Sequence, residues 1–269
     1  MQRQPAEAAE RWAAWLTGWQ IPAAIVDQAP ESPWGHDPAL FAVDDSLPRD
    51  SRSSVAAREV LPPSGGTVLD VGCGGGRASL ALVPPAELVI GVDTNPEMLA
   101  ELTRSAHRAG AMCATVAGRW PDVCEHERLA VVDVVVCHHV LYNVTDVVPF
   151  IAALTDHARL AVVVEMTDRH PQSAWNEAWQ HFWGITRPER PTADDLIAVV
   201  DELGLHPEVW RGPKPPMASG AGDPARAVAS ARRRLCLSAD RDEEIATWLR
   251  SHPPAWADTA VTLRWAGAA

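Results

Sequence analysis

The chain has 269 residues, 47% of them hydrophobic, enough to build a substantial core in one large domain. Its 35 acidic against 23 basic residues leave a net charge of −12, which denies it electrostatic attraction to a nucleic-acid backbone. No apolar run approaches the ~20 residues of a bilayer span, the polar N-terminus does not read as a signal peptide, and five cysteines without Cys-x-x-Cys spacing suit a reducing compartment, so a cytoplasmic protein that binds neither membrane nor nucleic acid is expected.

The first element in chain order is an amphipathic helix at 7–19, followed by a proline-rich passage with Pro30, Pro33, Pro38 and Pro48. Residues 1–66 read as a helical and loop extension, expected to pack over the carboxyl edge of the sheet that follows and so cover the active site. From residue 67 onward, short apolar runs alternate with helix-like segments. Strands are predicted at 67–71, 88–92, 111–116, 131–137 and 159–165, with helices at 76–83, 96–109 and 146–157 between them. Apolar runs of this kind separated by helices imply a parallel sheet covered on both faces. A helix at 192–203 starts at a threonine cap and stops at Gly204. The last strands are predicted at 205–211 and 260–265, separated by a loop at 212–223 and helices at 224–235 and 240–251. Arg232-Arg233-Arg234 is followed by Asp240, Asp242, Glu243 and Glu244, and reads as a locally paired helix face. The fold class is therefore α/β: a doubly wound, mostly parallel seven-stranded sheet over 67–269, with a helical N-terminal extension and a helical insertion before the last strand.

The chemistry concentrates at 68–79, Val-Leu-Asp-Val-Gly-Cys-Gly-Gly-Gly-Arg-Ala-Ser. An apolar strand carries Asp70 near its end, and a turn with Gly72, Gly74 and Gly76 opens a helix. Glycine lets a backbone approach a ligand closely. A dinucleotide pyrophosphate is the first candidate, but the third glycine of its Gly-x-Gly-x-x-Gly turn falls on Arg77, and Asp70 would repel phosphates. A carboxylate there suits a ligand with positive charge, such as an amino group or a sulfonium, and S-adenosylmethionine has both. The second strand ends at Asp93, about 20 residues past the turn, where the ribose of either cofactor finds hydrogen-bond acceptors.

Together the two motifs resemble the class I S-adenosylmethionine-dependent methyltransferases, whose first motif is Asp-x-Gly-x-Gly-x-Gly; Val68 to Gly76 carries the match. The resemblance implies a Rossmann-like methyltransferase fold, S-adenosylmethionine as cofactor with S-adenosylhomocysteine as product, and methyl transfer by in-line displacement. It implies that Asp70 faces the methionyl amino group, that the backbone of Gly72, Cys73 and Gly74 passes the methionyl tail, and that Asp93 takes the ribose hydroxyls. Thr94 follows, and Met98 either covers the adenine or packs in helix core. After the third strand the family commonly has an acid for the adenine amino group; this chain has Arg119, which has no acceptor to offer. Stacking on Trp120 or on the Arg119 guanidinium, or a carboxylate from Asp122, would replace it. Arg52 is the candidate partner of the methionyl carboxylate, with Arg77 as the alternative.

The fourth strand ends in Cys137-His138-His139-Val140-Leu141-Tyr142-Asn143, at the edge that faces the transferred methyl in this fold. His139 and Tyr142 are the candidates to meet the acceptor, with His138 lining the cofactor and either histidine available as a base. Positioning alone can also carry much of such a reaction, leaving the histidines to pack and hydrogen-bond. Adjacent strand residues point to opposite faces, so Cys137, His138 and His139 are not expected to bind a metal. Glu165 ends the fifth strand within reach of an acceptor. Trp175, Trp179 and Trp183, with His181, form one helical stripe that either packs on the sheet or walls the acceptor pocket. Trp34, with Trp12, Trp15 and Trp19, would close that pocket from the N-terminal side.

The expectation is an enzyme that methylates a small-molecule acceptor on oxygen, nitrogen or carbon. An RNA or protein methyltransferase is the enzymatic alternative, and a non-catalytic cofactor-binding module, hinted at by Arg119, is the other. A homodimer is compatible with the sequence and not required by it.

Overall fold

The computed structural model describes residues 7–35, 41, 43, 47–127, 129–214 and 223–268. Part of the proline-rich passage, including Pro38, and most of the loop predicted at 212–223 lie outside the described residues. Strands β1 (Gly66–Val71), β2 (Ala86–Asp93), β3 (Met112–Ala117), β4 (Val132–His138), β5 (Ala158–Thr167), β6 (Glu208–Pro213) and β7 (Thr259–Ala266) form one sheet in the order β3-β2-β1-β4-β5-β7-β6. Neighbours from β3 to β5 pair in parallel, whereas β7 is antiparallel to both β5 and β6. The chain winds outward from β1 to β3 and then returns to β4 on the other side of β1. That reversal leaves a crevice at the carboxyl ends of β1 and β4, where open α/β sheets bind ligands.

Helices α1 (Glu7–Thr17), α6 (Val123–His126), α7 (Val147–Asp156) and α9 (Ala193–Glu202) cover one face, and α3 (Arg52–Arg58), α4 (Arg77–Leu80) and α5 (Pro96–Ala109) the other. Val134, Val135 and Val136 of β4 are all buried, which is why the central strands read as continuous apolar runs rather than alternating ones. Helix α5 has the boundaries its sequence predicts: Asn95 accepts from the Glu97 N–H, Pro96 opens the first turn, and Gly110 stops it at φ 71°. The helix predicted at 76–83 is shorter than expected. It covers only Arg77–Leu80, and the chain then turns toward Pro84 and Pro85, which cannot continue a helix.

The N-terminal extension divides its packing. Helix α1 lies on α9 and α7, with Trp12 fully buried and its Nε1 donating to the Val144 carbonyl at 2.9 Å. Phe41 and Val43 instead reach the carboxyl edge: Phe41 abuts Gly74 and Gly75, and Arg108 Nη2 donates to the Val43 carbonyl at 3.1 Å. Helices α2 (Ala23–Val26), α8 (Asn176–Trp183), α10 (Pro224–Arg234) and α11 (Asp242–Ser251) enclose a third apolar cluster. Each arginine of the basic run of α10 has a partner, one of them among the acids that follow it. Arg232 pairs with Asp242 at 2.7 Å, Arg233 with Glu31 at 2.7 Å, and Arg234 donates to the Pro33 carbonyl at 2.5 Å. No described helix is long and apolar enough to cross a membrane.

Candidate active site

Gly72, Gly74 and Gly76 take φ values of 70°, 50° and 89°, a region that side chains rarely occupy. The turn is pinned to β2. The Gly72 and Cys73 N–H groups donate to the Val92 carbonyl at 2.8 and 3.1 Å, and the Gly74 N–H donates to Asp93 Oδ2 at 2.9 Å. A Cβ on Gly72 would lie 2.3 Å from Val140 Cγ2, so the chain leaving β4 demands glycine there. Asp93 Oδ1 accepts from the Asn95 N–H at 2.9 Å. The cradle and its acid fit S-adenosylmethionine in kind: close backbone approach beside a carboxylate at the switch point.

Asp70 departs from the role expected of it. It is 1% exposed, and its Oδ2 accepts from the Ser79 hydroxyl at 2.6 Å and the Ser79 N–H at 3.3 Å. Its carboxylate thus holds the start of α4 rather than opening onto the crevice. Burial raises its pKa against the pull of the Ser79 hydrogen bonds, to about 6.

The other residues predicted to hold the cofactor divide. Thr94 is exposed beside Asp93, and Met98 is buried in the first turn of α5. Arg119 is exposed, and Asp122 starts α6 without a side-chain cap. Trp120 offers no stacking face. It is buried in the main core, its Nε1 donates to the Phe150 carbonyl at 3.2 Å, and its ring meets His157 edge-on at 5.1 Å. Arg52 is not brought to the glycine turn either. Its guanidinium lies 3.9 Å over the Trp210 ring on β6 and pairs with Glu59 at 3.5 Å, four strands away from β1 in the sheet order.

The side expected to meet an acceptor is built by strand register. His138 of β4 is paired with Glu165 of β5. His139 then takes φ 59°, a left-handed turn that directs its ring back over Glu165. His139 Nε2 lies 3.2 Å from Glu165 Oε1, and the Ser53 hydroxyl donates to Glu165 Oε2 at 2.5 Å. Burial alone would raise the Glu165 pKa; the hydrogen bond from His139, the neighbouring imidazoles and the Ser53 hydroxyl bring it down to about 2. His139 is 40% exposed on its side chain while Glu165 is 8%. Lys214 is half-buried within the field of Glu165, and burial pushes its pKa down.

His138 is pushed down to about 4 by burial and is therefore neutral near pH 7; its Nε2 is buried without a partner among the described residues. Tyr142 presents its ring and not its hydroxyl, which donates to Thr167 Oγ1 at 2.6 Å while that hydroxyl donates to the Arg169 carbonyl; burial raises the Tyr142 pKa. Of the two residues expected to meet the acceptor, Tyr142 thus offers its ring rather than a free hydroxyl. Among the described residues no group of three His, Cys, Asp or Glu side chains converges as metal ligands.

A cavity of about 190 Å³ adjoins Tyr142, with Trp19, Trp34, His170 and Arg187 among its lining residues. Of the N-terminal tryptophans expected at the acceptor pocket, Trp19 and Trp34 line this cavity, whereas Trp12 is core and Trp15 lies under Arg190 at 4.2 Å. The helical tryptophan stripe does not wall it. Trp175, Trp179 and Trp183 pack in the third apolar cluster, where Trp183 Nε1 donates to the Leu235 carbonyl at 2.7 Å. His181 is exposed and stacks on Trp248. The sequence shows one face of α8 to be apolar, but not that α10 and α11 cover it. Ser53, His170 and Arg187 were missed because each meets its partners only through the fold.

Residues 69–159 match the family model described as a methyltransferase domain. No curated protein matches the sequence. Among solved structures, the YcgJ protein from Bacillus subtilis superposes with a TM-score of 0.54 at 15% identity, covering 81% of this chain and 98% of that one. Magnesium protoporphyrin IX methyltransferase from Synechocystis PCC 6803, solved with bound S-adenosylhomocysteine, gives a TM-score of 0.50 at 16% identity over 82% of each chain. Coclaurine N-methyltransferase, bound to N-methylheliamine and S-adenosylhomocysteine, gives 0.50 at 13% identity over 98% of this chain and 84% of that one. At these identities the likeness is one of fold. The segment that matches the methyltransferase domain spans the glycine turn, Asp93 and His139. Residues 69–159 thus carry a methyltransferase domain, and the chain around them has the Rossmann-like fold of the solved structures it superposes on.

Proposed function

We propose that the enzyme methylates a small-molecule acceptor held over the His139–Glu165 pair. The backbone of Gly72, Cys73 and Gly74 would hold the methionyl part of the cofactor and Asp93 its ribose, with Thr94 and Met98 beside it. Asp70 serves them indirectly, by fixing the start of α4 through Ser79. When bound, S-adenosylmethionine supplies an electrophilic methyl group on a positively charged sulfur. The chain's part is to orient the acceptor and receive its proton. With Nε2–H donating to Glu165, the lone pair of His139 lies at Nδ1, where it can take a proton from an acceptor hydroxyl or amine. Ionised Glu165 orients the ring and stabilises the imidazolium that results.

The pair at the carboxyl ends of adjacent strands is the observation that carries this reading. The open cavity beside Tyr142 leaves room for a small acceptor. The acidic net charge and the carboxylate pairing of Arg232 and Arg233 argue against a nucleic-acid partner. The test combines calorimetry with methyl-labelled S-adenosylmethionine in a fractionated cell extract. S-adenosylhomocysteine should bind, label should enter the small-molecule fraction, and His139→Ala should abolish labelling while leaving binding intact. Label confined to RNA or protein would overturn the proposal.

A further inference from the structure

We infer that the acceptor is an aromatic carboxylic acid whose carboxylate docks on Arg187; this rests on the methyltransferase reading of the neighbouring site. Arg187 is 8% exposed and lines the cavity beside Tyr142. Its Nη1 donates to the Gln20 carbonyl at 3.1 Å and its Nη2 to the Trp19 carbonyl, both neutral acceptors. A guanidinium has five N–H groups, and the Nε of Arg187 is buried without a partner among the described residues. Among the described residues no carboxylate pairs with it and no acidic side chain lines the cavity, in a chain with 35 acidic residues. Among the described residues this buried cation meets two carbonyl dipoles and the faces of Trp19 and Trp179, at 5.4 and 5.1 Å, but no anion, and an anionic ligand would supply the missing charge. The guanidinium fork favours a planar, two-oxygen anion.

The walls select a flat ring. Trp19 stacks on His170 with centroids 3.9 Å apart and planes 13° from parallel, and Tyr142 meets His170 edge-on at 5.5 Å. His170 is neutral, because burial pushes it down to about 4, and its Nδ1 accepts from the Gln172 N–H. Arg187 is thus the charge among the lining residues. Toward the other end, the Tyr142 ring lies 6.5 Å from His139 and nearly parallel to it. An acid anchored at Arg187 therefore extends along an aromatic wall toward the proposed base.

The experiment titrates benzoate and para-hydroxybenzoate, each against its methyl ester, into full-length protein saturated with S-adenosylhomocysteine, followed by tryptophan fluorescence and calorimetry. The acids should bind about tenfold or more tightly than the esters. Arg187→Gln should abolish that preference, and Arg187→Lys, which keeps the charge but not the fork, should weaken it, with S-adenosylhomocysteine affinity unchanged in both. Should Arg187→Gln fail to fold, the wild-type preference and its weakening in Arg187→Lys decide the matter. Acids that bind no better than esters, or a preference that survives both substitutions, overturn the inference. Failure of S-adenosylhomocysteine to bind sinks the methyltransferase reading instead, so the two failures are told apart.

Discussion

His139 and Glu165 are tied by two links: the His139 backbone N–H donates to the Glu165 carbonyl oxygen at 2.8 Å, and its ring Nε2 lies 3.2 Å from Glu165 Oε1. The first link fixes where the left-handed turn starts, and the second fixes the ring. Such a doubly held imidazole has little freedom left to lose on binding an acceptor, which is what positioning in catalysis requires.

Glu165→Gln keeps an oxygen for the Ser53 hydroxyl but removes the charge that orients and stabilises His139. Turnover should fall by about 10- to 100-fold, part of the range open to general acid–base groups. Affinity for S-adenosylhomocysteine, measured by calorimetry, should change by less than about twofold. Equal losses in turnover and affinity would show that the pair only packs the site.

Asp93 holds both the Gly74 and the Asn95 N–H groups. Asp93→Ala leaves these donors and the ribose hydroxyls without their acceptor, at a cost of about 1–3 kcal/mol. S-adenosylhomocysteine should therefore bind about 10- to 100-fold more weakly. Unchanged affinity would remove Asp93 from the cofactor site.

The parts of this arrangement that lie close together in sequence are readable there, and the parts joined across the fold are not. Gly72 to Asp93 spans a single strand–helix–strand unit, so its glycines and acid carry their spacing in the chain. The strands are legible because burial on both faces makes each a short apolar run. Ser53 and Glu165 are 112 residues apart, and a serine next to an arginine gives no hint of that bond. Arg52 misled for the same reason: its neighbour in the fold is Trp210, which no local pattern connects to it. Trp120 stands just past the third strand, beside Arg119, but local order does not reveal that its indole turns inward to Phe150.

Gly75 shows how tightly the extension presses on the glycine turn. A Cβ there would lie 2.0 Å from the Phe41 carbonyl oxygen, too close to coexist with it. Its φ is not positive, so the obstacle to alanine is contact and not backbone strain. Gly75→Ala should therefore displace the chain around residues 41–43 while leaving the sheet intact. The expected outcome is faster limited proteolysis near Phe41 and faster release of S-adenosylhomocysteine, with unfolding stability within about 1 kcal/mol of the parent. An unchanged cleavage pattern would mean that the contact between Phe41 and Gly75 does not hold the extension.

Asp70 makes a pH signature that separates it from the rest of the site. Its folded pKa of about 6 stands above the ordinary 3.8, so between these values the folded protein keeps a proton that the unfolded chain has released. Its contribution to stability is then fully present below 3.8 and is lost as pH rises through about 6, a loss on the order of 3 kcal/mol. His138 and His170 act in the opposite sense. Each is depressed to about 4 from 6.5, so the unfolded chain takes up protons there that the folded one does not, and stability rises with pH across that window. Glu165, depressed to about 2 from 4.5, also gains stability as pH rises, but mostly below the Asp70 window. The wild-type curve alone mixes these effects. Asp70→Asn removes one titration and keeps an oxygen for Ser79, so the difference between wild-type and variant unfolding free energies isolates it. That difference, from urea titrations without ligand, should move against the wild type between about pH 4 and 6 and be level on either side. A level difference across the window would mean that Asp70 ionises freely and that its burial against Ser79 is not what the fold maintains.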